Sequence, residues 1–210
     1  MPIRTCLFDL GNVLVYFSHD RMIDNVARLT AIPESGVQEI LLDSGLQWRL
    51  ERGELTENEF HSEFADRSGI DVDPDQLRHA LADIFELNAP MIPLLEELRS
   101  LGIRLVLLSN TTVTHIEFIR SRWPVLDLFD AVTTSWQVGI LKPDPRIYES
   151  ALAQANCAPA DCFFTDDIED YVNQAVLMGI QAHVYQNTTT TRATLRALGI
   201  GVKPAQDLSV

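Results

Sequence analysis

The sequence predicts an α/β protein, a parallel sheet flanked by helices and interrupted after its first strand by an all-helical module. Two observations lead there. Apolar, β-rich runs at 3–10, 103–110, 131–134, 162–167 and 181–185 alternate with helical patterns, and several are too continuous for a one-faced strand. Residues 19 to about 88 break the alternation, offering helical stretches and no convincing strand. Strands buried on both faces with helices between them specify a parallel sheet, and such sheets bind ligands beyond the carboxyl ends of their strands.

Each element has its own signal. Leu94, Leu95, Leu98 and Leu101 make a helical stripe that stops at Gly102; Ile147, Tyr148, Ala151 and Leu152 make a second; and the pattern beginning at Tyr171 ends at Gly179. In the insertion, Thr56 and Glu59 form a capping box, and Asp73 followed by Pro74 starts another helix, whose stripe reads Leu77, Leu81, Ile84 and Phe85. The chain returns to the sheet near Pro90.

Composition narrows the function. At 46% hydrophobic, 210 residues can bury a substantial core. Thirty acidic against 16 basic residues give a formal charge of −14, which repels nucleic acid and anionic membrane surfaces. No apolar run is long enough to span a bilayer, and MPIRTCLFDL lacks a signal-peptide layout, so cytoplasmic residence is expected. Cys6, Cys157 and Cys162 have no metal-ligand spacing, and the five histidines are scattered, which argues against zinc.

The strand ends carry the chemistry. Asp9 closes the first strand, Ser109 and Asn110 the second, Lys142 sits in the loop GILKPDPRIY, and Asp166 and Asp167 close a later strand. Three carboxylates converging with a lysine and a hydroxyl suit a divalent cation held by oxygen ligands, leaving Lys142 and Ser109 for an anion: magnesium and phosphate. Singly, each has a plainer reading. Ser109 and Asn110 could cap the next helix, Lys142 could be a solvated loop residue, and Asp166 and Asp167 could complement a helix dipole.

Together the residues resemble the haloacid dehalogenase (HAD) superfamily. FDLGNVL resembles its first motif, LLSN the second, the lysine of ILKPDPRIY the third and FTDDIED the fourth. DLGNVLV, ERGELTENEF and KPDPRIY look more narrowly like bacterial sugar-phosphate phosphatases related to α-glucose-1-phosphate phosphatase. The resemblance implies a Rossmann-like, HAD-like core over 1–17 and 89–210 with a helical cap over 18–88. It implies a magnesium-dependent phosphatase in which Asp9 becomes an aspartyl-phosphate, Ser109, Asn110 and Lys142 bind the phosphoryl group, and Asp9, Asp167 and the Gly11 carbonyl hold Mg2+. The implied substrate is a small phosphorylated metabolite, such as a sugar phosphate.

Two positions depart from the family. Many members place a second aspartate, the general acid, two residues after the nucleophile, where this chain has Gly11. That leaves two alternatives: a protein that keeps the site with weak or no chemistry, or a metal-independent dehalogenase, which needs no acid. Against the latter, Asp166 and Asp167 beside Asp9 have little purpose without a cation. In the fourth motif Tyr171 stands where many relatives carry an acidic residue; Asp170 either supports the metal or caps a helix. Which of Trp48, Arg49, Arg52 and Glu54 reach the crevice is open at this stage.

Overall fold

A computed structural model describes residues 2–204. Its centre is a five-stranded, all-parallel sheet ordered β5-β4-β1-β6-β7, with β1 at Thr5–Phe8, β4 at Arg104–Ser109, β5 at Ala131–Thr134, β6 at Cys162–Asp166 and β7 at Gln181–Val184. All five runs of the sequence reading are strands. β1 is central, pairing Phe8 with Leu107 on one side and with Thr165 on the other, so the carboxyl ends of β1, β4 and β6 lie level.

Alternate residues of the central strands feed opposite cores, as period-2 geometry requires. Leu7, Val106, Leu108 and Phe164 pack with Ile147, Tyr148 and Ala151 of α9 (Pro145–Ala155) and Ala175 of α10 (Glu169–Leu177). Cys6, Phe8, Leu105 and Leu107 face the other way, toward Leu94, Leu95 and Leu98 of α6 (Met91–Ser100). Gly102 and Gly179 follow their helices with φ of 77° and 84°, the left-handed conformation glycine tolerates, while Asn156 takes the equivalent place after α9.

Between β1 and α6 lie five helices: α1 (His19–Thr30), α2 (Glu34–Gln38, continuing into a π turn), α3 (Leu46–Glu51), α4 (Glu57–Ser68) and α5 (Pro74–Ala82). The Thr56–Glu59 capping box and the Asp73 cap are both present. One expectation is corrected: the stretch is not free of strands. Phe85–Leu87 forms β3, antiparallel to β2 at Val15–Phe17. The apolar stripe therefore splits, with Leu77 and Leu81 buried on α5 while Ile84 and Phe85 lie beyond its end at Ala82. Asn88 stitches the return point, donating its amide to the Val13 carbonyl and to the Tyr185 hydroxyl, both at 2.7 Å.

Candidate active site

The level strand ends bring the residues singled out from sequence to one cavity. Asp9 follows β1 directly, its N–H donating to the Thr165 carbonyl of β6 at 3.0 Å. Ser109 ends β4, and Lys142 reaches in from the loop between α8 (Ser135–Val138) and α9. Lys142 is buried, and its Nζ donates to Asp9 Oδ1 at 2.7 Å, Asp166 Oδ2 at 2.5 Å and the Leu108 carbonyl at 3.1 Å. All three of its protons are used. Burial opposes its charge, but Asp9 and Asp166 outweigh that and hold the ammonium above the ordinary lysine range. The solvated-loop reading of Lys142 is excluded.

Asn110 does not cap the next helix either. Thr112 does, accepting from the His115 N–H, while Asn110 Oδ1 accepts from the Lys142 N–H at 2.8 Å and its amide donates to the Lys142 carbonyl at 3.2 Å. Asn110 thus fixes the backbone that carries the lysine. Tyr171 joins this group, with its ring centroid 5.0 Å from Lys142 Nζ and its hydroxyl 3.4 Å from the Asn110 amide. Asp170 lies exposed in the first turn of α10, outside the carboxylate cluster described next, which favours its helix-end reading.

That cluster is Asp9, Asp166 and Asp167, each offering an oxygen within 4.8 Å of the others. Three carboxylates face one ammonium, leaving a formal surplus of two negative charges in a largely buried space. Burial, reinforced by Asp166, pushes Asp9 above the usual carboxylate range despite Lys142, and burial also raises Asp167. A divalent cation removes this penalty, and all-oxygen donors suit magnesium, so the residues fit that ion. Asp167 is oriented by Asn12, whose amide donates to it at 3.0 Å. Asn12 has a left-handed φ of 54° and belongs to a turn in which Leu10 O accepts from Val15 N and Val15 O from Asn12 N. These bonds bypass Gly11, which lines the cavity beside Asp9.

Gly11 is not a conformational glycine, since its φ is not left-handed. It is a steric one: a Cβ there would lie 2.8 Å from Phe17 Cε1 and 3.1 Å from Cδ1. The Phe17 ring occupies the space a larger residue at position 11 would need.

Phe17 begins the roof of the cavity, with Trp48, Ile84 and Phe85. His19 lies edge-on to Phe17 and Trp48, at centroid distances of 5.2 and 5.9 Å, and His115 edge-on to Phe85 at 5.1 Å. Of the four insert residues left open, Trp48 reaches the cavity. Arg49 instead binds Glu63 through two contacts of 2.6 and 2.8 Å, and Arg52 pairs with Glu54 at 2.7 Å. Glu51, unremarked in the sequence, does line the cavity, as do Asn12, Phe17, His19, Phe85 and His115.

The haloacid dehalogenase-like hydrolase family model matches residues 3–182. The chain belongs to that family. It is 27% identical to Phosphatase MT3486 of Mycobacterium tuberculosis over 91% of each chain, and 23% identical to D-ribitol-5-phosphate phosphatase of Bacteroides thetaiotaomicron over 93% of this chain and 98% of that one. A HAD family enzyme of Bacteroides thetaiotaomicron, solved in complex with magnesium and inorganic phosphate, superposes with a TM-score of 0.80 at 26% identity, covering 89% of this chain and 96% of the other. No helix of this hydrolase among the described residues is long and apolar enough to cross a membrane.

Proposed function

We propose that this HAD-like phosphatase is magnesium-dependent and hydrolyses a small phosphomonoester through an aspartyl-phosphate on Asp9. The observation that carries the reading is the Asp9–Lys142–Asp166 arrangement beside Asp167: a buried carboxylate, held by a buried ammonium, at the edge of an oxygen-rich cation site. Asp9, Asp167 and the Gly11 carbonyl would hold Mg2+, with Asp166 behind them. The ion supplies charge neutralisation for the phosphoryl oxygens.

The rest of the chemistry falls to the chain. Lys142 stabilises charge on the phosphoryl group and favours the ionised form of Asp9 against its burial, Ser109 donates to a phosphoryl oxygen, and Asn110 holds the lysine loop in register. The carboxylate oxygen of Asp9 attacks phosphorus and displaces the alcohol; water then cleaves the acyl phosphate. The cavity, about 220 Å3, suits a small ester. A sugar phosphate is the reading favoured by the sequence resemblance and by the full-length similarity to a D-ribitol-5-phosphate phosphatase. The insert over 18–88 acts as the cap that closes this space, on a core of 1–17 and 89–210, of which residues 1 and 205–210 lie outside the described residues. The carboxylate cluster weighs against a metal-independent dehalogenase.

The test is hydrolysis of p-nitrophenyl phosphate with magnesium and with a chelator, in the native chain and in Asp9→Asn. Turnover that requires magnesium and vanishes in the variant is expected, because an amide neither attacks phosphorus nor balances a cation. Undiminished turnover in Asp9→Asn removes the nucleophile assignment, and a site that binds phosphate without turnover leaves a binding protein.

A further inference from the structure

The floor of the cavity leaves one step of ester hydrolysis unserved. An alkoxide must be protonated as it leaves, and the attacking water must lose a proton. Position 11, where many relatives carry a carboxylate for this, is closed by the Phe17 ring. Three titratable groups remain around the cavity away from the strand ends: His19 and Glu51 on the roof, and His115 on the helix Val113–Arg122 that follows β4.

His115 is buried edge-on to Phe85, and burial pushes its pKa down to about 4. It has no proton to give near neutrality. His19 is hemmed edge-on by Phe17 and Trp48, and burial lowers its pKa too. Glu51 differs. Its side chain is buried, it makes no ion pair, and its carboxyl accepts a neutral hydrogen bond from the Gln47 amide at 3.2 Å.

Its position is also fixed to the floor. Ser135 Oγ donates to the Glu51 carbonyl at 2.6 Å and accepts from the Thr111 N–H at 3.0 Å, two residues beyond Ser109. The last turn of α3 is thereby bolted to the segment that leaves β4 just after Ser109 and Asn110. A carboxyl used only for packing would be better replaced by an apolar group, since burying it without a cation is costly.

We infer that Glu51 is the proton donor and acceptor of the reaction, supplied from the insert in place of the residue that Gly11 cannot be. The inference rests on the phosphatase reading above. In the first step Asp9 Oδ forms a bond to phosphorus, the phosphorus–alkoxide bond breaks, and the Glu51 carboxyl proton goes to the leaving oxygen. In the second, the Glu51 carboxylate takes a proton from water as its oxygen attacks phosphorus. The Asp9–phosphorus bond then breaks, releasing phosphate with Glu51 reprotonated. Burial pushes Glu51 up to about 7, against the Gln47 amide and the Arg52 charge, so both forms are available near neutrality. The other titratable groups around the cavity are His19 on the roof, His115 on the helix after β4, and Asp9, Lys142, Asp167 and Tyr171 on the floor.

The experiment uses the magnesium-loaded full chain and Glu51→Gln, with rapid-mixing kinetics on p-nitrophenyl phosphate and β-glycerol phosphate. Nitrophenolate leaves without acid help, so the variant should release its first equivalent at close to the native rate. It should then stall at the aspartyl-phosphate, with steady turnover down on the order of 10²–10⁴-fold. On β-glycerol phosphate the first turnover itself should fall by that factor. Glu51→Asp should regain part of the loss, and it carries the test if the glutamine variant does not fold. Equal loss in first and later nitrophenyl turnovers makes Glu51 a structural residue and overturns the assignment, as does native-like turnover of β-glycerol phosphate. A native chain silent on both substrates with magnesium overturns the phosphatase reading beneath it; an active native chain with an unimpaired variant overturns the role of Glu51 alone.

Discussion

The floor of the cavity comes from the carboxyl ends of β1, β4 and β6 and the Lys142 loop, whereas its roof comes from the β2–β3 ribbon and helices α1 and α3. The floor is dense in charge, and nearly every group in it is tied to another: Lys142 to Asp9 and Asp166, Asn110 to the Lys142 backbone, Asn12 to Asp167. The roof is aromatic, and among the described residues Glu51 is its lone carboxyl and it contributes no lysine or arginine to the cavity lining. A site for a phosphate ester has two separable tasks, holding a dianion and accommodating what is attached to it. On the reading proposed above, the strand ends would perform the first and the insert the second.

If that division holds, removing a floor charge should unsettle the whole molecule, while roof changes should act locally. The largest effect is expected for Lys142→Ala. It strands Asp9 and Asp166 together without a counter-charge, which typically costs about 3–5 kcal/mol. Denaturant melts in the absence of magnesium would measure it. The same variant should lose at least as much activity as Ser109→Ala, since a buried ammonium outweighs one neutral hydrogen bond; the reverse ranking would move the anion-binding role from the lysine to the hydroxyl.

Next comes Glu51, whose folded-state value of about 7 lies above its ordinary 4.5. The folded chain keeps a proton that the unfolded chain has released between those values. Its contribution to stability is therefore complete below about pH 4.5, declines as pH rises and levels off above about 7. Subtracting Glu51→Gln from the native chain, both metal-free, isolates this group from Asp9. The difference should change by at most about 3–4 kcal/mol over that window, at about 1.4 kcal/mol per unit. A flat difference would mean that Glu51 is hydrated like a surface residue.

Gly11→Ala probes the seam between floor and roof. The Phe17 ring must move, an overpacking that typically costs about 1–3 kcal/mol. For the same reason Gly11→Asp should lower turnover of aryl and alkyl phosphates alike; a selective gain on the alkyl ester would show that Phe17 yields readily and that the acid was missing. The smallest effect is expected for Asn12→Ala, which frees Asp167 to reorient and should weaken magnesium binding by about 10–100-fold in a calorimetric titration while leaving the fold intact.

The division also explains what the sequence disclosed. The five sheet strands were legible because burial on both faces writes them as unbroken apolar runs, Asp9, Ser109 and Asp167 because each closes such a run, and Lys142 because it stands in the loop GILKPDPRIY before the next helical stripe. The roof was not. β2 and β3 are three residues each, too short for a period, and Phe85 passed for part of a helical stripe because its spacing from Leu81 is helical. Glu51 lies in a stretch where Arg49, Arg52, Glu54, Glu57 and Glu59 are also charged. Nothing local marks it as the member that turns inward while Arg49 and Arg52 find partners in Glu63 and Glu54. Tyr171 was noticed only as a departure; its ring lies against Lys142, a contact that follows from the turn of α10 rather than from spacing.

The β2–β3 ribbon carries a consequence for how such a molecule can be rebuilt. Because Val15 pairs with Leu87 and Phe17 with Phe85, the outgoing and returning chain cross into the insert side by side, roughly the 5 Å separation of paired strands apart. Asn88 clamps that doorway from the sheet side. The insert thus meets the sheet through two paired strands held side by side, so the sheet is a socket with one narrow doorway. On the reading proposed above, a different occupant would change what is admitted and would have to bring its own counterpart of Glu51.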